Sequence, residues 1–353
     1  MPQSSPTVPD NRVPVVILGA TGMVGQRMIA MLEDHPQLRL VGVAASARSA
    51  GRRYEEATTW RLGGRMPRSV AALPVLECSP EAMPRGVAMV LSALDSGPAA
   101  ALEGEFRAAG FAVITNASPA RMDPAIPLII PEVNPEHLGL IEAQGPGFII
   151  ANPNCCAVPL AMVLAPLHAR WGVEAVMVAT WQAVSGAGYP GESAWDMVGN
   201  VHPHAGDEEQ KLAVEPQKIL GAPGLPAEFA VSARCVRVPV ADGHLLSISV
   251  RLRGAPGLDE VEAALRDFGS AGPALPSSPR PLLEMHTARD RPSPRFDAMA
   301  GGGMAVSVGR IKRCAVMGVK MFALGHNTIR GAAGAAIANA ELLIATGKVP
   351  HRD

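Results

Sequence analysis

Apolar runs and stretches of helical composition alternate along the first half of the chain. The apolar runs lie at 13–18, 38–45, 87–94, 111–118 and 148–151. Continuous runs of this kind are typical of parallel strands that are buried on both faces. Helical composition follows the first run as far as Leu32 and occupies 98–110 between the third and fourth runs. Strands that alternate with helices predict an α/β fold with a doubly wound sheet.

The pattern changes after Asn154. Longer strand-like stretches at 173–184, 233–240 and 245–253 are separated by polar helical segments such as 206–220. This half of the chain is therefore expected to form a second domain of the α+β type. Residues 330–345 have helical composition with many small side chains, and we expect this helix to return to the first domain. The stretch Gly269–Arg295 is rich in Pro, Ser and Arg, which favours an exposed loop or insertion.

Charge and cysteine content narrow the range of partners. The formal net charge is -1, and the Lys and Arg residues are scattered, so we expect small-molecule partners and neither nucleic acid nor an anionic membrane. The five cysteines are odd in number and lack C-x-x-C spacing, which argues against a disulfide framework and against a metal site. A reducing cytoplasm is the expected location.

Two segments resemble membrane signals at first sight. Residues 1–12 are polar and Pro-rich without an apolar core, so they are expected to form a disordered tail and not a signal peptide. The stretch Ala143–Ala169 contains no Asp, Glu, Lys or Arg and is long enough to span a bilayer. Its GPG and NPN sequences and its two further prolines, Pro159 and Pro166, favour a buried strand, a turn and a helix instead.

A glycine-rich loop follows the first strand and opens the first helix. It has the sequence Gly19-Ala-Thr21-Gly22-Met23-Val24-Gly25. Glycines in this context let backbone N–H groups approach a pyrophosphate at the positive end of a helix, which indicates a Rossmann-type dinucleotide-binding domain. A glycine-rich turn without a ligand is the alternative.

The end of the second strand favours NADP over NAD. An NAD-binding fold usually carries an acid about twenty residues after the loop, where it bonds to the ribose hydroxyl. This chain has Ser46, Arg48 and Ser49 there, which offer two hydroxyls and a guanidinium to a 2′-phosphate. An ordinary polar turn is the alternative.

A candidate nucleophile lies at the start of a helix. Cys155 follows the strand at 148–151 and the sequence Asn-Pro-Asn, and helical composition follows it. The helix dipole and the free N–H groups at such a position stabilise a thiolate and lower the pKa of the thiol. A cysteine among apolar residues is otherwise inert packing, and Cys156 is interpreted in that way.

Eight motifs, taken together, resemble a known family. They are GATGMVGQR, ASARSAG, NASPARMDP with LIIPEVNPEHL, NPNC, QAVSGAGYPG, DEEQKLAVEPQKIL, RVPVADGH and ALGHNTIRGAAG. Their order is similar to that in aspartate-semialdehyde dehydrogenases, in particular the archaeal and fungal branch. The resemblance extends from about residue 13 to 345.

The resemblance implies a role for each matching residue. Cys155 would be the nucleophile, Gln182 would position the thioester carbonyl and His244 would be the acid/base. Arg237 would anchor the substrate α-carboxylate, while Glu208 would meet its amine. Arg121 and Lys211 would bind phosphate. Further cofactor contacts are implied for Ser185, Gly186 and Asn327, the last at the nicotinamide end.

The implied reaction is the reversible NADP-dependent reductive dephosphorylation of L-4-aspartyl phosphate to L-aspartate 4-semialdehyde. The implied domains are 13–154, completed by 325–353, for NADP binding, and 155–324 for catalysis and dimerisation, in a homodimer or homotetramer. The family usually carries hydroxyl residues where this chain has Cys156 and Ala157, and an acid is common where it has Gln210. Two alternatives stay open: a related acyl-CoA reductase, such as a malonyl-CoA reductase, and a nucleotide-binding paralogue without catalysis.

Overall fold

A computed structural model describes residues 10–352, so the predicted tail lies outside the described residues except for 10–12. In the described range there are twelve strands: β1 Val13–Leu18, β2 Leu38–Ala45, β3 Val75–Glu77, β4 Met89–Ser92, β5 Ala112–Thr115, β6 Phe148–Ala151, β7 Val173–Gln182, β8 Ala230–Arg237, β9 His244–Leu252, β10 Leu283–His286, β11 Val306–Cys314 and β12 Gly318–Gly325. The α-helices of the same range are α1 Met23–Leu32, α2 Tyr54–Ala57, α3 Arg68–Ala71, α4 Ser96–Ala108, α5 Ala157–Trp171, α6 Ala194–Met197, α7 Glu208–Leu220, α8 Leu258–Arg266, α9 Pro294–Asp297 and α10 Gly334–Ala345.

The first sheet is parallel and has the strand order β3-β2-β1-β4-β5-β6. This order is the one found in doubly wound dinucleotide-binding folds, and it confirms the predicted fold class. Strands β1, β2 and β6 have the same limits as the apolar runs that predicted them. In a parallel sheet the carboxyl ends of all strands lie at one edge, so the loops after β1, β2 and β6 lie at the same edge of this sheet.

The second sheet is mixed, with the order β10-β11-β12-β9-β7-β8. Burial alternates along β7: Val176 and Val178 are buried, whereas Met177 between them is 51% exposed. Helices α5, α7 and α8 pack against this sheet, while α10 packs against β4 and β5 of the first sheet. The predicted α+β domain is therefore present, and the last helix lies on the first sheet.

The prediction of an exposed loop or insertion at Gly269–Arg295 was wrong for β10 and for the buried residues of the segment, although most of the segment lies outside helices and strands. It contains β10, which extends the second sheet beside β11, and its Leu275 and Leu282 are buried. The hydroxyl of Ser278 donates to Glu132 at 2.7 Å. Glu132 in turn holds the buried guanidinium of Arg330 through two bonds of 2.9 and 2.6 Å. The segment thus joins the two domains.

The uncharged stretch Ala143–Ala169 is divided between β6, a turn and α5. No helix within residues 10–352 combines the length and the apolar character that a membrane crossing requires.

Candidate active site

The glycine-rich loop after β1 is folded so tightly that two of its glycines cannot be replaced without a clash. A Cβ on Gly19 would lie 2.5 Å from the carbonyl oxygen of Ala93, and a Cβ on Gly25 would lie 2.5 Å from that of Gly19. Gly22 caps α1, and a Cβ there would meet only one atom within 4 Å, at 3.5 Å. The loop is therefore packed on its sheet side and open where a phosphate would approach. Thr21, Met23 and Val24 complete it.

The predicted 2′-phosphate residues lie after β2. Ser46 and Arg48 are exposed, and the N–H of Ser49 donates to the carbonyl of Ser46 at 2.8 Å, which closes the turn. Because β2 is the parallel neighbour of β1, this turn lies at the same sheet edge as the glycine-rich loop. The residues present fit a dinucleotide that carries an additional phosphate.

Asn154 fixes the backbone around the candidate nucleophile. Its Oδ1 accepts hydrogen bonds from the N–H groups of Cys156 at 2.8 Å and Ala157 at 3.3 Å, so it caps the start of α5. Its Nδ2 donates to Glu208 at 2.8 Å. Cys155 lies between β6 and α5, as predicted, and is partly exposed.

Charges and hydrogen bonds around Cys155 favour its thiolate. A ring nitrogen of His244 and the sulfurs of Cys155 and Cys156 lie within 4.8 Å of one another. A hydrogen bond from the thiol of Cys156, together with the nearby His244 and Arg121, lowers the pKa of Cys155 well below its usual value, although burial opposes this. Burial and the neighbouring Cys155 raise the pKa of Cys156.

Gln182, Arg237 and His244 form a buried layer behind the nucleophile. Gln182 is 1% exposed, Arg237 is 4% exposed and His244 is 0% exposed. Arg237 donates through one terminal nitrogen to Oε1 of Gln182 at 3.0 Å and to the carbonyl of Ala183 at 3.2 Å. A Cβ on Gly186 would lie 2.7 Å from that nitrogen and 3.0 Å from Nε2 of His244, so this layer requires a glycine.

Helix α7 turns one face to the site. Glu208, Lys211 and Glu215 lie on this face, since they are separated by three and four residues. Lys211 donates to Glu208 at 3.0 Å, and although burial opposes it, the charge of Glu208 raises the pKa of Lys211. Glu215 accepts from Arg121 at 3.0 Å and from the backbone N–H of Asn154 at 2.6 Å. Burial raises the pKa of Glu215, and Arg121 opposes this effect.

The same helix holds the loop that carries Arg121. Nζ of Lys218 donates to the carbonyls of Arg121 at 2.6 Å, Asp123 at 2.7 Å and Ile126 at 2.8 Å. These bonds use all three donors of the ammonium group. The predicted phosphate ligands Arg121 and Lys211 are therefore positioned by one helix.

Asn327 joins three segments at the rim of the site. Its Oδ1 accepts from the N–H of Gly243 at 2.9 Å, and its Nδ2 donates to the hydroxyl of Ser185 at 2.8 Å. Asn327 therefore orients the residue before His244 in addition to lining the cavity described next.

A cavity of about 210 Å³ brings part of these groups together. Of the residues singled out in the sequence, it is lined by Val24, Arg121, Cys155, Ser185, Gly186, Glu208, Lys211 and Asn327. Gln182, Arg237 and His244 lie outside its lining, in the buried layer. The residues after β2 and the other residues of the glycine-rich loop, Gly19, Thr21, Gly22, Met23 and Gly25, are likewise outside it.

Sequence reasoning missed Asn154, Glu215 and Lys218. Each had a local signal: an Asn just before a helix is a preferred cap, and the two α7 residues continue the spacing of Glu208 and Lys211 along one helix face. Apart from the N–H groups that Asn154 caps, their partners lie 54 to 97 residues away in sequence, so the spacing could not identify them.

Comparisons with known proteins identify the family of this chain. Residues 14–141 match a family model described as the NAD binding domain of semialdehyde dehydrogenase, and 164–330 match its dimerisation domain. The chain is 45% identical over 343 residues to an aspartate-semialdehyde dehydrogenase of Archaeoglobus fulgidus, covering 94% of this chain and 98% of that protein. It is 40% identical over 354 residues to the one of Saccharomyces cerevisiae, covering 93% and 97%. The chain belongs to the aspartate-semialdehyde dehydrogenase family.

Solved structures of this aspartate-semialdehyde dehydrogenase family have the same fold. The crystal structure of the Candida albicans enzyme with NADP matches with a TM-score of 0.87 at 40% identity, covering 95% of this chain and 99% of that one. An aspartate semialdehyde dehydrogenase II of Vibrio cholerae matches with a TM-score of 0.76 at 29% identity, covering 95% and 99%.

Proposed function

We propose that the chain catalyses the reversible NADP-dependent reductive dephosphorylation of L-4-aspartyl phosphate to L-aspartate 4-semialdehyde. The observation that carries this proposal is a thiolate-forming Cys155 at the wall of a cavity that also presents Arg121, Glu208 and Lys211. This set of groups suits an acyl phosphate of an amino acid. The thiolate is a soft nucleophile, the two cations can bind phosphate, and the carboxylate can bind an amine.

In the proposed mechanism the sulfur of Cys155 attacks the acyl carbon, and the carbon–oxygen bond to phosphate breaks. Arg121 and Lys211 stabilise the departing phosphate, and a thioester remains on the sulfur. NADPH supplies the hydride for reduction when it is bound. Gln182 and the N–H of His244 stabilise the charge that develops on the carbonyl oxygen, and His244 exchanges the proton at this position. Cleavage of the carbon–sulfur bond releases the aldehyde and returns the thiolate.

For the cofactor, we propose that Gly19, Thr21, Gly22, Met23, Val24 and Gly25 hold the pyrophosphate, and that Ser46, Arg48 and Ser49 hold the 2′-phosphate. Ser185, Gly186 and Asn327 would meet the nicotinamide end. The relative from Candida albicans, whose structure was solved with NADP, supports NADP as the cofactor.

Arg237 and Glu208 are proposed to hold the α-carboxylate and the α-ammonium of the substrate. Arg237 is buried and already bound to Gln182. A substrate carboxylate would therefore meet a guanidinium that is fixed in place, which favours a two-point contact.

The domain limits 13–154 with 325–353, and 155–324, also remain our proposal, as does a homodimer or homotetramer. The second sheet supports self-association because its face opposite α5 presents Met177, 51% exposed, and the rings of Trp181 and Phe322, whose centroids are 6.4 Å apart. Light scattering of the diluted protein tests the proposed self-association, and a monomer at every concentration would contradict it.

We also propose a reducing cytoplasm as the location of the protein. All five cysteines lie among the described residues, and none of them is in a disulfide.

The activity is tested by NADP reduction with aspartate semialdehyde and phosphate, compared with the same reaction in which coenzyme A replaces phosphate. Phosphate-dependent turnover is expected. Turnover only with coenzyme A would favour the acyl-CoA reductase, and binding of NADP without either reaction would favour the non-catalytic paralogue. Cys155→Ser should keep NADP binding and lose turnover.

A further inference from the structure

The cavity wall contains two adjacent sulfurs in different protonation states. Cys155 is partly exposed and lines the cavity, whereas Cys156 is fully buried beside it. Their sulfurs lie within 4.8 Å of each other. The lowered pKa of Cys155 and the raised pKa of Cys156 describe a thiolate that faces the cavity and a thiol held behind it.

The proposed mechanism gives Cys156 no contact with substrate. Its side chain does not line the cavity, and the helix cap uses its backbone N–H, which Asn154 accepts at 2.8 Å. Nδ1 of His244 accepts from the N–H of Ala183, so Nε2 is the ring nitrogen left to interact with the two sulfurs.

We propose that Cys155 is a site of reversible oxidation by hydroperoxides and that Cys156 is its resolving cysteine. The thiolate of Cys155 attacks hydrogen peroxide, the oxygen–oxygen bond breaks, and a sulfenic acid and hydroxide form. The sulfur of Cys156 then attacks the sulfenic sulfur. Its thiol proton leaves with the hydroxyl group as water, and a disulfide remains. The peroxide is reduced by two electrons and the sulfur pair is oxidised by two.

Such a disulfide would protect the nucleophile from irreversible oxidation. Sulfenic acids that meet no thiol proceed to sulfinic acids, which thiols do not reduce. The Cα atoms of adjacent residues are about 3.8 Å apart across a trans peptide, below the usual disulfide range of about 4.4 to 6.8 Å. A bond under this strain is easily reduced, so an external thiol would restore the enzyme. The proposal depends on the sulfurs and the cavity and not on the identity of the acyl substrate.

The chain offers a direct assay. Trypsin releases the peptide Met122–Arg170, in which Cys155 and Cys156 are the only cysteines. After treatment of the folded enzyme with hydrogen peroxide, the Cys155–Cys156 part of this peptide should lose two hydrogen atoms, and fragmentation distinguishes this change from oxygen gained at Met122 or Met162. Dithiothreitol should restore the mass of the Cys155–Cys156 part and the enzyme's reactivity toward iodoacetamide. Cys156→Ser should instead form a dimedone adduct at Cys155 when dimedone is present, and without dimedone its Cys155 should gain two oxygen atoms that dithiothreitol does not remove. Cys314→Ser, a control at the β11–β12 turn, should behave like the parent chain.

Three results would overturn the proposal. The first is a parent peptide that gains oxygen without losing hydrogen. The second is a cross-link to the peptide that contains Cys235. The third is equal recovery of the parent and Cys156→Ser after dithiothreitol. If Cys156→Ser does not fold, the mass of the parent peptide and its recovery after dithiothreitol still test the proposal. Because the readouts are peptide mass and alkylation, they remain valid if the proposed dehydrogenase activity is not found.

Discussion

The backbone N–H of Ala183 donates a hydrogen bond to Nδ1 of His244 over 3.0 Å. In the neutral ring the proton therefore lies on Nε2, which has no hydrogen-bond partner among residues 10–352. This N–H can donate a hydrogen bond to the sulfur of Cys155 and to the carbonyl oxygen of an acyl group bound to that sulfur. A buried backbone contact thus determines which nitrogen takes part in the chemistry.

The lowered pKa of Cys155 predicts alkylation well below the pH at which a free thiol reacts. The rate of alkylation of Cys155 by iodoacetamide should be constant at high pH and should decrease as the pH falls through the lowered pKa, since only the thiolate reacts. His244→Asn should move this midpoint toward higher pH because it removes one stabilising neighbour. The readout is the mass of the tryptic peptide Met122–Arg170, alkylated at Cys155, because a variant without the proposed acid/base cannot be followed by its activity. A parent midpoint near the free-cysteine value of about 8.5 would contradict the prediction.

Gly331 provides the space for the nucleophile. A Cβ at this position would lie 2.6 Å from Cβ of Cys155. We therefore expect Gly331→Ala to displace Cys155 and to lower kcat by roughly a hundredfold, the cost of a misplacement of about 1 Å. Gly104→Ala is the matched control, since it lies in α4 and its Cβ would meet nothing within 4 Å. Equal kcat in both variants would show that the contact has no catalytic importance.

Five of the six strands of the first sheet could be predicted because burial on both faces leaves a continuous apolar run, as in β1, β2 and β6. The three-residue β3 was not predicted. The structure of Gly269–Arg295 could not be predicted in this way. Its composition is that of a loop, and its order comes from partners far away in sequence: Ser277 donates to Glu341, 64 residues away, and Ser278 donates to Glu132, 146 residues away. Local composition carries no information about such pairs.

The candidate site likewise contains parts that the sequence could predict and parts that it could not. The loop at Gly19–Gly25 and the position of Cys155 depend on neighbours in sequence, so turn and helix signals were sufficient to find them. The contact of His244 with Ala183 depends on the pairing of β7 with β9, and the contact of Lys218 with the Arg121 loop depends on the packing of two domains. The resemblance to the family supplied His244, but no sequence signal supplied its partner.

The exposed Arg48 predicts the cofactor preference. Arg48→Ala should weaken NADP binding by roughly ten- to hundredfold, since a charged hydrogen bond contributes about 1.5 to 3 kcal/mol, and should leave NAD binding unchanged. Titration of both nucleotides by calorimetry measures this. Arg52→Ala, which removes an exposed guanidinium four residues further on, is the control. Equal affinity of the parent chain for NAD and NADP would refute the assignment of Ser46, Arg48 and Ser49.

Arg237 and Glu208 together predict an amino-acid substrate. Arg237→Lys should impair turnover severely despite its charge, because an ammonium group cannot bridge Gln182 and Ala183 while making a planar contact with a carboxylate. That result alone does not identify the substrate, since loss of the Gln182 contact would also reduce turnover.

Glu208→Gln separates recognition of the substrate amine from the loss of the Gln182 contact. It keeps the shape of a side chain that bonds to Asn154 and Lys211 and removes only the charge that an α-ammonium would meet. Its kcat/KM for aspartate semialdehyde should fall roughly ten- to hundredfold, whereas that for an analogue without the amine should change much less. Glu209→Gln removes the adjacent charge, which faces Arg234, and should leave the ratio of the two substrates unchanged. If the parent chain used both substrates equally well and Glu208→Gln reduced both alike, aspartyl phosphate would have to be abandoned as the native substrate. The thioester at Cys155 would not be affected, because its chemistry requires only an acyl group.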